Sequence, residues 1–131
     1  MEIREKIKRY VDVRKIDKLL DSEIAFAVDG LTKIRLGHED AGVLFDKVAY
    51  HAHLYTIPYV FRTLGKELPE KTESKFVNYL TLALKVGEEF QSRYPQVSIR
   101  QDIDRLSEIL DSYVEGGYKG LRECYAEQMR G

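Results

Sequence analysis

The side chains best able to do chemistry crowd into residues 48–61. This run of fourteen residues contains no Asp, Glu, Lys or Arg, in a chain that is 33% charged. It holds His51 and His53, two of the three histidines, and Tyr50, Tyr55 and Tyr59, three of the nine tyrosines. On a helix His51 and His53 point roughly 200° apart and cannot ligate one metal together, because helical zinc ligands stand four residues apart. Asp46, Tyr50 and His53 share a face, but Asp46 and His53 are separated by about 10 Å along the axis, so an ion held by both would need ligands from other helices. Tyr55 and Tyr59 are one turn apart and Arg62 follows three residues later. Rings beside a guanidinium can stack a base or clamp an anion. The same residues suit a polar-tipped core or the centre of a dimer interface.

Other chemistry-bearing residues point less far. Glu70 and Glu73, with Glu108 and Asp111, resemble the paired carboxylates with which some helical nucleotide pyrophosphatases hold magnesium. Glu108, however, lies about 200° from the apolar Leu106 and so faces solvent. Gly116-Gly117-Tyr118-Lys119-Gly120 lacks the spacing of a phosphate loop and reads as a helix break. Cys124 is the single cysteine; it excludes an internal disulfide and offers no metal-binding pair. Arg4, Lys8 and Arg9 are interleaved with Glu2, Glu5 and Asp12, the pattern of a solvated helix face. No cofactor is expected.

The elements that must position these residues are helices. Apolar residues recur at three- and four-residue spacing throughout, and no strict alternation or hairpin signal interrupts them. A short helix over Ile3 to Val11 is expected first, then a second capped by Asp12, with Ile16, Leu19, Leu20, Ile24, Ala27, Val28, Leu31 and Ile34 as its apolar stripe and Gly37 as its stop. The third opens at Glu39 and Asp40, carries the uncharged run, and ends at Gly65. Pro58 lies inside it and predicts a kink near Leu54. Val48, Ala49, Ala52 and Thr56 should be its buried side. Pro69 introduces a fourth helix, which Pro95 ends. Ser98 and Gln101 form a capping box for a fifth, Gly116 and Gly117 break it, and a short sixth closes the chain. The reading is a single all-α domain over residues 1–131, an up-and-down helical bundle of five or six helices.

Composition narrows the function. The chain has 131 residues, 44% of them hydrophobic, enough for a core without disulfides or metals. A net charge of −1 gives no field that would draw it to nucleic acid or an anionic membrane. The uncharged run is too short and polar to span a bilayer, and residues 1–8 have no apolar run of the kind that leads a secreted chain, so a cytoplasmic protein with no membrane partner is expected. Scarce Asn and Gln with abundant Lys, Arg and Glu resemble thermophile usage.

Arg35-Leu36-Gly37-His38, the Ala- and Tyr-rich helix from Phe45 to Tyr55, Leu64-Gly65-Lys66-Glu67-Leu68-Pro69, and Arg93-Tyr94-Pro95 leading into the helix from Asp102 to Leu110 follow one another in an order that resembles the HEPN superfamily of small helical nucleotide- and RNA-associated domains. The resemblance covers about two-thirds of the chain. It implies a four- or five-helix bundle that dimerises. The nuclease members carry an Arg followed by a His after four to six residues. Here Arg35 and His38 stand too close, and no other pair fits, so the resemblance carries no catalytic residue into this chain.

The expectation is therefore a non-catalytic binding or scaffold module, homodimeric, with Tyr55, Tyr59 and Arg62 as its first recognition residues and Tyr59 or Phe61 at the dimer interface. A protein partner or a nucleotide-like ligand suits those residues. The alternative is a small-molecule- or metal-binding enzyme that uses His51, His53, Asp46 and the tyrosines inside the bundle. A concave site reached by both a histidine and a carboxylate distinguishes the second reading from the first.

Overall fold

The computed structural model describes residues 2–37 and 51–130. All regular structure in them is helical and forms four elements. Helix α1 is Ile3–Arg35. Helix α2 comprises a π-helical turn, Ala52–Thr56, continued by the α-helix Ile57–Leu64. Helix α3 is Glu70–Arg93 and helix α4 is Arg100–Arg130. The all-α expectation holds, but five or six separate helices do not appear. The two N-terminal helices are one, because Asp12 is followed by no glycine or proline that would force a break. An Asp inside a helix costs only about 0.7 kcal/mol against Ala, less than ending and renucleating the helix.

The expected break at Gly116-Gly117 is a reversal within α4. Gly117 has φ 65° and ψ −156°, far from helical values. Beyond it the chain folds back. Gln128 Nε2 donates to Arg105 O at 3.0 Å and to Glu108 Oε2 at 3.1 Å. Residues 23 apart in a straight helix would be separated by about 35 Å, so residues 118–130 run antiparallel to 100–116.

Contacts give the direction of each helix. Asp17 pairs with Thr72 (2.8 Å), Asp21 with Lys75 (3.0 Å) and Arg35 with Glu89 (3.0 Å), partners that stay 54 or 55 residues apart, so α1 and α3 run parallel. Helix α2 runs against α1: His51 meets Glu23, and Arg9 Nη2 donates to Glu67 O at 2.8 Å. The turn after Arg93 sends α4 back along α3, ordered by Gln91, whose side chain donates to Val97 O (2.8 Å) and accepts from Ile99 N–H (3.3 Å). The helix proper then starts at Arg100, two residues past the expected cap at Ser98. Ile16, Leu20, Ala27, Ile34, Ile57, Val60, Phe76, Tyr79, Leu80, Val86, Ile109 and Leu121 form one core shared by all four elements.

Where Pro58 predicts a kink near Leu54, α2 carries a change of helical register. The π turn lies immediately before the proline, and the Ile57 N–H reaches back to Ala52 O instead of His53 O. With that wider register the next donor would be residue 58, a proline without an N–H, so His53 O loses any helical partner. The Tyr125 hydroxyl replaces it, donating to His53 O at 2.7 Å. Tyr125→Phe is expected to destabilise the fold by about 1–2 kcal/mol, because it strands a buried carbonyl. Urea unfolding checks this; an unchanged midpoint would show that the carbonyl needs no partner. Ala52 and Thr56 are fully buried, as expected of this helix; Val48 and Ala49 lie outside the described residues.

A cleft between the first two helices

The helical frame sets one cleft of about 360 Å³ against α1, lined among the described residues by Ser22, Glu23, Phe26 and His51. Glu23 stands three residues after Leu20 and four before Ala27, both fully buried, so α1 turns this carboxylate toward the bundle. Its side chain is only 16% exposed. His51, at the start of α2, brings Nδ1 to 3.5 Å from Glu23 Oε2. Phe26, one turn after Glu23, packs on the core.

Two buried hydroxyls, those of Thr56 and Tyr79, lie near each other, and neither makes a well-formed hydrogen bond. Burial drives the Tyr79 phenol well above its usual range, and the Glu23 charge adds to that rise while Thr56 opposes it. Ionising Tyr79 would place a second negative charge beside Glu23 in a dry environment, so this phenol stays neutral through the physiological range.

The sequence-expected recognition residues form a ladder on one face of α2. The His51 ring stacks on Tyr55 with centroids 4.7 Å apart, Tyr55 stacks on Tyr59 at 5.9 Å, and the Arg62 guanidinium lies 5.7 Å from the Tyr59 centroid. The rings already cover one another, so the ladder holds His51 in place at the mouth of the cleft. Phe61 packs edge-on against Phe76, Tyr118 and Tyr125 of its own chain. Asp46 and Tyr50 lie outside the described residues.

His53 points away from His51, as the helical spacing requires. Its ring meets Tyr125 edge-on at 5.1 Å, and its Nδ1 is buried with no partner. Burial lowers its pKa below 6.5, Arg105 adds to the shift, and Asp102 opposes it. The unfolded chain therefore binds more protons than the folded one just below pH 6.5. Stability is expected to fall as the pH drops through that value toward the lower folded pKa, and to be fully restored above it. Urea unfolding at pH 7.5 and 5.5 should show a smaller pH dependence in His53→Gln than in the parent; equal dependence would remove His53 as its source.

Glu23 is the cleft residue that the sequence reading missed. Its signal was a carboxylate at a core-facing position of an otherwise apolar stripe. Of the carboxylates in the two sequence pairs, Glu108 accepts from Gln128, Glu70 and Asp111 are exposed, and Glu73 is half-buried. Among the described residues no three His, Cys, Asp or Glu side chains are grouped to hold a metal ion. No helix among them is long and apolar enough to cross a membrane. Compared with protein-family models, curated proteins and solved structures, the chain matches none.

Proposed function

We propose that this protein is a small-molecule-binding helical module, with its site in the cleft between α1 and α2. The observation that carries the reading is the convergence of His51 and the mostly buried Glu23 carboxylate on one concave space with an aromatic wall, Phe26. Binding sites combine an apolar body with a few placed polar groups in this way. The Tyr55–Tyr59–Arg62 ladder fixes the histidine, a supporting role in place of the direct recognition first expected of it. Binding without turnover suits the site: His51 and Glu23 supply one proton-transfer pair, and no cysteine, lysine or second acid among the described residues lines the cleft.

A panel of small aromatic compounds tests the reading. Compounds that bind are expected to raise the unfolding temperature in a concentration-dependent way. Ser22→Trp, which places an indole in the cleft from an exposed helix position, should abolish that effect while the circular dichroism spectrum stays helical. Equal stabilisation of Ser22→Trp and parent would place the site elsewhere.

The homodimer remains a second reading, supported by one surface. Ile3 (77% exposed), Ile7 (58%), Tyr10 and Val11 form an apolar stripe on the outer face of α1, centred about 145° from Ile16 and Leu20. The HEPN-like order of elements supports a dimer as well. We expect a self-association in sedimentation equilibrium that Ile7→Asp weakens; a monomer mass at all concentrations would end this reading.

A further inference from the structure

We infer that the cleft takes an organic cation: a protonated amine or guanidinium carried on an aromatic or short aliphatic body. This rests on the cleft being a ligand site, as proposed above.

The charges of α1 point to the class. Several of its other ionised side chains stand beside an opposite charge. Asp21 holds Lys75 at 3.0 Å, Asp29 holds Lys33 at 3.3 Å, and Arg35 holds Glu89 at 3.0 Å. Glu23 differs from these. It is the least exposed of these carboxylates, and the group recorded against it is a histidine at 3.5 Å rather than a lysine or arginine. A carboxylate withdrawn from water is costly unless a cation or several donors compensate it. Here the cleft opens onto that carboxylate, which has no lysine or arginine beside it among the described residues, so a ligand can bring a cation to it.

The walls agree with this choice. Phe26 and the stacked His51 ring present aromatic surface beside Glu23, and a cation next to ring faces gains further attraction. Burial keeps the nearby Tyr79 phenol neutral, so no competing negative charge forms beside Glu23. A nucleotide or other anion meets the opposite situation, because its charge would face Glu23 in a partly dry site. The nucleotide-like ligand expected from the tyrosines and Arg62 therefore does not suit this cleft.

Three probes that share one body separate the possibilities: 2-phenylethylamine, 2-phenylethanol and phenylacetate. Isothermal titration at pH 7 is expected to rank the amine at least about tenfold tighter than the alcohol, with phenylacetate weakest. In Glu23→Gln the amine should fall to the level of the alcohol, with a parent-like circular dichroism spectrum and urea midpoint showing that the variant is folded. If the alcohol or phenylacetate binds as tightly as the amine, or if Glu23→Gln keeps the preference, the cation assignment is wrong and the cleft remains a site for another ligand class. If none of the three binds the parent, the cation assignment and the binding reading fall together.

Discussion

Phe76→Ala is expected to cost about 3–5 kcal/mol, the full range for removing a buried phenyl ring, and to leave the chain close to unfolded at room temperature. Phe76 is fully buried on α3 and meets Phe61 edge-on with centroids 6.0 Å apart. Phe61 in turn contacts Tyr118 and Tyr125 from the returning limb of α4. Truncation removes the ring that joins α3 to α2, and through Phe61 loosens the aromatic packing that seats residues 118–130. The cavity cannot collapse cheaply, because its lining comes from three helices held by separate contacts. Urea unfolding with circular dichroism detection checks the value. A loss under 1 kcal/mol would mean that the aromatic cluster is not a structural centre.

Gly117→Val is expected to cost about 3 kcal/mol, at the upper end for a residue forced into a region that only glycine occupies freely. Gly117 has φ 65° and ψ −156°, and a β-branched side chain there conflicts with its own backbone even though the space around it is open. The substitution also favours a continuous α4, which would carry residues 118–130 away from α2. That would remove the Tyr118 hydroxyl from Gly65 O, which it reaches at 3.0 Å, and the Tyr125 hydroxyl from His53 O. Gly120 marks the same reversal: a Cβ there would lie 2.5 Å from Ser112 O, so the two limbs approach as closely as backbones allow. Loss of Gln128 protection against hydrogen exchange, together with lowered stability, is the expected signature; a stable Gly117→Val protein with unchanged exchange would contradict a hairpin within α4.

The parts of the fold that were legible in the sequence are those governed by local chemistry. Three- and four-residue spacing gave the helices, Gly37 and Gly65 stop α1 and α2 with φ of 73° and 70°, and Pro58 announced the distortion of α2. The parts that were not legible depend on which helix lies opposite which. Asp12 has the chemistry of a cap, yet a cap forms only where the helix must begin, and the packing of α1 along α3 favours continuity. The Glu23–His51 approach joins residues on two helices, and Tyr125 to His53 spans 72 positions. Periodicity assigns a face to each side chain but does not say what meets that face. The tyrosine ladder illustrates the same limit: composition marked Tyr55, Tyr59 and Arg62 as able to recognise a ligand, and their mutual stacking directs that surface toward holding His51.

Binding of an organic cation in the cleft at Glu23 and His51 is tested most directly by amide chemical-shift mapping. Titration of isotopically labelled protein with 2-phenylethylamine is predicted to shift the amides of residues 22–26 and 51–55 along saturable curves that share one dissociation constant, with the amides of residues 100–130 nearly still. Shifts that are absent, that do not saturate, or that centre on residues outside those two segments would contradict it.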